Sequence, residues 1–218
     1  MKRLLIIVEG DTEKEFVNNI LAPYLFSKGI GNVQCFKIKH SKGGLSKYEH
    51  LKKDIINSLY EDNVIVTTLI DFYALPKDFP KYEEAIKFED KLMCVDFLEN
   101  AIKEDIENSQ QKTFNNLIPY IQLHEFEALV FSSKKGIENL FTPKQANFNE
   151  FEKIFNAYTN PEEINNDPNN APSKRLKHLI KGYNKFVDGI MIIDEIGIDT
   201  ILSKCPRFNN WISLLTKK

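Results

Sequence analysis

The chain has 218 residues, 42% of them hydrophobic and 28% charged, with a formal net charge of −2. This is globular composition, enough for one domain with an appendage or two small domains, and it needs no disulfide or metal to build a core. Collagen-like, coiled-coil and disordered classes are excluded, and no apolar run approaches the ~20 residues that span a bilayer.

Met1-Lys2-Arg3 followed by Leu4 to Val8 mimics the start of a secretory signal. Its apolar run stops at Glu9 and no small-residue cleavage site follows, so it reads as a doubly covered strand of a cytoplasmic protein. The strand runs into Glu9-Gly10-Asp11-Thr12-Glu13-Lys14-Glu15, where Thr12 and Glu15 have capping-box spacing. Phe16, Val17, Ile20, Leu21 and Tyr24 then recur at helical spacing until Pro23 and Gly29 close the segment. A second strand is predicted at Val33–Ile38. Gly43-Gly44 precedes an amphipathic helix with Tyr48, Leu51, Ile55 and Leu59 on one face. Val64–Phe72 is a β-branched-rich third strand containing Asp71 near its end. Pro76 and Pro80 bracket a loop, and a long helix with Tyr82, Ile86, Met93, Phe97, Ala101 and Ile102 follows. Leu117–Leu123 reads as a fourth strand, made peripheral or started by Pro119, and His124 to Phe131 turns into a helix.

Strands alternating with helices predict an α/β domain over residues 1–133, its mainly parallel sheet flanked by helices. Beyond it, short helical patterns separated by Asn- and Pro-rich loops, above all Asn165–Pro172, predict a helical C-terminal part over residues 134–218. Cys35, Cys94 and Cys205 are odd in number and far apart, as expected of buried thiols in a reducing compartment.

The near-neutral average hides segregated charge. Residues 37–53 carry Lys37, Lys39, Lys42, Lys47, Lys52 and Lys53 against Glu49 alone. Residues 174–185 carry Lys174, Arg175, Lys177, Lys181 and Lys185 with no acid, while residues 83–107 hold nine acids and three lysines. Two basic segments suit either solvated helix faces or a polyanion surface.

Ligands of an open parallel sheet bind beyond the carboxyl ends of its strands. Glu9 follows the first strand, Asp71 ends the third, and Glu125 follows the fourth with Glu127 close by. Carboxylates gathered at one sheet edge repel one another unless a cation neutralises them, and hard oxygen ligands suit Mg2+ or Mn2+. His124 is a candidate general base or a hydrogen-bonded structural residue. No P-loop, G-x-G-x-x-G or G-x-S-x-G is present, so nucleotide hydrolysis and a serine nucleophile have no support. Lys174 and Arg175 follow Pro172 in a helix's first turn, where the dipole disfavours cations. A phosphate at that helix N-terminus would account for them, as would simple extension into water.

These residues bring a family into view. Ile7-Val8-Glu9-Gly10-x-Thr12-Glu13 resembles the glutamate motif of the topoisomerase–primase (TOPRIM) domain, and the strand ending in Asp71 resembles its aspartate motif. Thr68 to Pro76, Pro119 to Ala128 and Ala171 to Arg175 resemble a bacterial family of TOPRIM-like proteins of unknown function, over nearly the whole chain. The resemblance implies a TOPRIM-type sheet, a Mg2+ or Mn2+ cofactor, action on nucleic-acid phosphodiesters, a separate ATPase subunit as partner, and a role in phage defence. It implies Glu9 and Asp71 as catalytic and metal residues and Lys174 and Arg175 on a backbone phosphate. The strand-end acids Glu125, as a catalytic and metal residue, and Glu127, as a further ligand, complete the set if either replaces the family's second aspartate, the alternatives being a one-metal site or weak or lost catalysis. Glu13, Tyr73 and His124 are auxiliary candidates. The usual Asp-x-Asp is here Asp71-Phe72-Tyr73, so the second carboxylate is missing. Three readings follow: a metal-dependent nuclease subunit, a non-catalytic module that docks an ATPase or nucleic acid, and a receiver-like phosphoacceptor at Asp71. The last is disfavoured because Glu9 lacks the companion acid of the usual acidic pair.

Overall fold

The computed structural model describes residues 3–39, 44–164 and 170–217. Lys42, Gly43 and most of the Asn165–Pro172 loop, all singled out in the sequence, lie outside the described residues, as do Met1 and Lys2. The chain forms two compact units, Met1–Leu123 and His124–Lys218. The segment 124–133, grouped above with the α/β domain, belongs to the second unit.

The first unit is built on a parallel sheet. Its strands are β1 (Arg3–Val8), β2 (Val33–Lys37), β3 (Val64–Asp71), β4 (Leu117–Ile118) and β5 (Ile121–Gln122). The order is β2-β1-β3-β4, with β5 also on β3, and every pairing is parallel. Residues on β1 and β3 are almost all buried, which explains why both read as continuous apolar runs rather than alternations. Leu5 and Ile7 of β1 and Val66 and Ile70 of β3 share one core with α3 (Tyr48–Leu59) and α5 (Lys91–Gln110). Leu4, Ile6 and Val8 point the other way, by strand alternation, and are equally buried.

Several expected boundaries move, each for a local reason. Thr12 makes no capping box: α1 (Asp11–Phe16) starts one residue after Gly10, and no side chain caps it. Pro23 does not end the first helix. A π-helical turn at Val17–Leu21 leads without a break into α2 (Ala22–Ser27), and that widened turn accommodates Pro23. Gly29, at φ +91°, marks the end. The long helix after Pro80 is two, α4 (Tyr82–Ala85) and α5, because Asp90 caps α5 by accepting from the Leu92 N–H at 2.8 Å. Ile86 and Met93 are consequently exposed instead of core.

The predicted strand Leu117–Leu123 is broken at Pro119, which has no N–H to give. Side chains replace the missing ladder. The Thr67 hydroxyl donates to the Ile118 carbonyl at 2.6 Å, and the Thr68 hydroxyl donates to the Tyr120 carbonyl (2.7 Å) while accepting from its N–H (2.8 Å). Glu99 of α5 accepts the Ile121 N–H at 2.6 Å.

The opposed charge runs meet inside this unit. Lys52 pairs with Asp105 at 2.9 Å, and the Tyr48 hydroxyl donates to the same carboxylate at 2.8 Å. Lys37 pairs with Asp11 at 2.7 Å. One lysine of the basic run, Lys52 of α3, thus meets an acid of the acidic helix α5.

The second unit is helical: a buried 3-10 helix at Phe126–Ser132, then α6 (Lys135–Leu140), α7 (Phe148–Ala157), α8 (Pro172–Leu179), α9 (Asp188–Ile196), α10 (Ile198–Lys204) and α11 (Pro206–Thr216). Helices α6 and α9 pack closely at Gly136, where an added Cβ would lie 2.6 Å from Ile196 Cγ1. Cys205 is buried, its thiol is pushed up to about 12 by burial, and it lies 3.4 Å from the Ser132 hydroxyl, so it is the inert thiol expected. Cys35 is pushed up to about 12 for the same reason. Among the described residues, no helix is long and apolar enough to cross a membrane.

Candidate functional site

β1 lies between β2 and β3, so the chain leaves β1 toward one neighbour and returns on the other side. The crevice at such a switch in an open parallel sheet is where ligands bind. Val8 is paired with Leu69, which places Glu9 just past the end of β1 and Asp71 at the end of the adjacent β3. The two acids share one sheet edge: the Asp71 N–H donates to Glu9 Oε2 at 3.5 Å, a long bond that ties the Glu9 carboxylate to the strand beside it. Asp71 is 7% exposed and Glu9 half-buried.

Three neighbours shape this edge. Gly44 faces Glu9, since a Cβ there would sit 3.5 Å from Glu9 Oε1. Glu13 folds back onto Gly10, where a Cβ would come within 2.8 Å of Glu13 Oε2, and is itself buried. Gln122, fully buried, is the register partner of Asp71 on β5 and accepts from the Tyr120 hydroxyl at 3.0 Å. Gln122 is the residue that sequence reasoning passed over, and the signal was a lone polar side chain inside an apolar run. Tyr73, at the position of the absent second aspartate, sits in a 3-10 turn with its ring 5.9 Å from that of Phe72.

Glu125 and Glu127 stand in the second unit, each engaged there. Glu125 Oε2 accepts the Ser173 N–H at 2.9 Å, in the first turn of α8. The anion that the Lys174–Arg175 pair called for at that helix start is thus supplied by the chain itself. Arg175 Nε donates to the Asn170 carbonyl at 2.8 Å, with its guanidinium 5.9 Å from the Tyr158 ring centre; Lys174 is exposed. His124 is buried and adopts φ +64°, an uncommon left-handed backbone for a residue with a side chain.

Glu127 is 1% exposed, and Lys185 Nζ lies 3.2 Å from its Oε1, near enough to attract but not aligned as a hydrogen bond. Burial pushes the Glu127 carboxyl above the usual carboxylate range; Lys185 opposes the shift and Glu125 adds to it. The folded protein therefore holds this proton more tightly than the unfolded chain. Its contribution to stability is greatest below the ordinary value of 4.5 and is lost as pH rises through the raised value. Glu127→Gln removes that dependence, so the melting temperature of the variant relative to wild type is expected to climb as pH is raised over the range above 4.5. A difference that stays constant across that range contradicts the assignment.

The sequence profile of a domain of unknown function, DUF4276, matches residues 8–216. The chain belongs to the DUF4276 family. The DUF4276 match spans both units and takes in Glu9, Asp71, Glu125, Glu127, Lys174 and Arg175. No curated protein and no solved structure gave a match.

Proposed function

We propose that this DUF4276 protein is a metal-dependent nuclease of TOPRIM type, acting as the hydrolytic subunit beside an ATPase partner in phage defence. The observation that carries the reading is the pairing of Glu9 and Asp71 at the carboxyl ends of adjacent parallel strands, at the switch in strand order. The family resemblance supplies the reaction class and the partner.

The donor set fits Mg2+ or Mn2+. Both side chains offer hard oxygens, which suit those cations. Among the described residues, no group of three or more His, Cys, Asp or Glu is placed to hold a metal ion. Two carboxylates nonetheless suit Mg2+, which commonly takes one or two protein carboxylates and fills its remaining positions with water and substrate phosphate. When bound, the cation activates water and offsets the negative charge that develops on a phosphodiester. Glu9 and Asp71 would hold it, and the Asp71 N–H would keep the Glu9 carboxylate oriented. Glu9 also stands where it could take a proton from the attacking water. Cleavage of labelled DNA and RNA, single- and double-stranded, with Mg2+, Mn2+ or EDTA tests the reading. Metal-dependent cleavage that co-purifies with wild type but not with Glu9→Gln supports it; none on any substrate overturns it.

A second reading is favoured by Tyr73. Without the second aspartate the site has lost an acid that TOPRIM enzymes use, as expected of a module that keeps the fold and docks an ATPase or nucleic acid. Tight nucleic-acid binding without cleavage would select it.

A further inference from the structure

The second unit carries two adjoining concavities. One, of about 580 Å3, is lined by Lys144, Gln145, Asn147, Phe148, His178 and Lys181, among others. The second, of about 430 Å3, is lined by Glu150, Lys174, Arg175 and His178, among others. They share His178 and Leu179.

Backbone bonds, not loose surface side chains, set this groove. Ala146 pairs antiparallel with Ile180; the Asn147 N–H donates to the Leu179 carbonyl at 3.0 Å, and the Lys181 N–H to the Gln145 carbonyl at 2.8 Å. That short ribbon brings Lys144 and Lys181 to one wall. Lys174 and His178 stand at i and i+4 on one face of α8, and the chain turns extended at Ile180 to carry Lys181 onto the ribbon. The acid in the groove, Glu150, is already matched by Lys153 at 2.6 Å. None of the ion pairs among the described residues uses Lys144 or Lys181. Half-buried Phe148 adds an aromatic ring to the lining.

We propose that this joined groove binds a segment of single-stranded nucleic acid, its phosphates on Lys144, Lys174 and Lys181 and a base against Phe148. The proposal rests on reading the chain as one that acts on nucleic acid; it keeps exposed Lys174 as a phosphate contact, while Glu125 holds the α8 N-terminus and Arg175 stays on Asn170. Cations lining a groove beside an aromatic face suit a strand with backbone phosphates and stackable bases. An aromatic ring can stack on an unpaired base, whose faces a duplex keeps covered, so a single strand is the ligand that uses Phe148.

Fluorescence anisotropy of the full chain with a labelled oligo-dT, its RNA counterpart and a duplex of equal length tests this, in EDTA so that no cleavage intrudes. Wild type is expected to prefer the single strands. Lys144→Ala/Lys181→Ala should weaken that binding by about tenfold and reduce the salt dependence by roughly 0.7 in log–log slope per lost contact. Both lysines are exposed, so the melting temperature should hold. Unchanged affinity and slope in the double variant would overturn the proposal, as would tighter binding of the duplex or of a polyglutamate competitor. The cleavage assay reads the nuclease function separately: binding that depends on Lys144 and Lys181 without cleavage upholds the groove and removes the nuclease.

Discussion

Glu9→Gln is expected to reduce metal-dependent cleavage at least about a hundredfold, the scale on which removing one preorganised electrostatic partner of a transition state acts. The change is nearly isosteric. It keeps an oxygen able to accept the Asp71 N–H and removes a negative charge at an edge shared with Asp71. The fold should therefore persist, and the melting temperature without metal should stay level or rise. Asp71→Asn is expected to act in the same direction. Cleavage by Glu9→Gln at the wild-type rate, measured under identical metal and substrate, contradicts the assignment.

Glu162→Ala is expected to cost the fold more stability than Glu9→Gln, Asp71→Asn or Glu127→Gln. Glu162 is fully buried, and its two oxygens accept the Arg207 N–H (2.8 Å) and the Phe208 N–H (3.0 Å) in the first turn of α11. Helix N-termini leave such N–H groups without intrahelical partners, and this carboxylate supplies them from a distant segment. Burial raises the Glu162 carboxyl, opposed by those two bonds. Truncation removes the carboxylate from both N–H groups, one in half-buried Arg207 and one in buried Phe208, at a cost of about 2–4 kcal/mol. Glu162→Gln keeps one acceptor and should lose less. Urea denaturation followed by Trp211 fluorescence reads both variants, and equal stability of Glu162→Ala and wild type would show that the cap contributes nothing.

The acids at these positions mark where sequence was legible and where it was not. Glu9 and Asp71 could be found because each follows a long apolar run, and parallel pairing of two such runs brings their ends to one edge without further information. The strand-and-helix alternation of the first unit was readable on the same grounds. Glu162 offered no signal, since its partners are backbone N–H groups far along the chain. The engagement of Glu127 by Lys185 was hidden likewise: residues 174–185 read as one basic run, yet Lys185 turns to a buried carboxylate. Other departures are competitions between local rules. Pro23 suggested a helix end, but the π turn before it lets the helix continue. Asp90 carried a cap signal that the apolar spacing from Tyr82 to Ile102 masked. Pro119 did break its strand, and the hydroxyls of Thr67 and Thr68, which read merely as β-branched filler, hold the pieces to the sheet.

Whether Glu9 and Asp71 together hold a divalent cation is tested most directly by thermal melts, which require no substrate. Wild type, Glu9→Gln and Asp71→Asn would be melted with Mg2+ or Mn2+ titrated against EDTA. Wild type should gain stability with metal, by ~2.7 kcal/mol at 100 times the dissociation constant. Each variant should lose most of that gain. A wild-type melt that millimolar Mg2+ and Mn2+ leave unmoved, or an equal shift in both variants, would contradict a metal site shared by these two carboxylates.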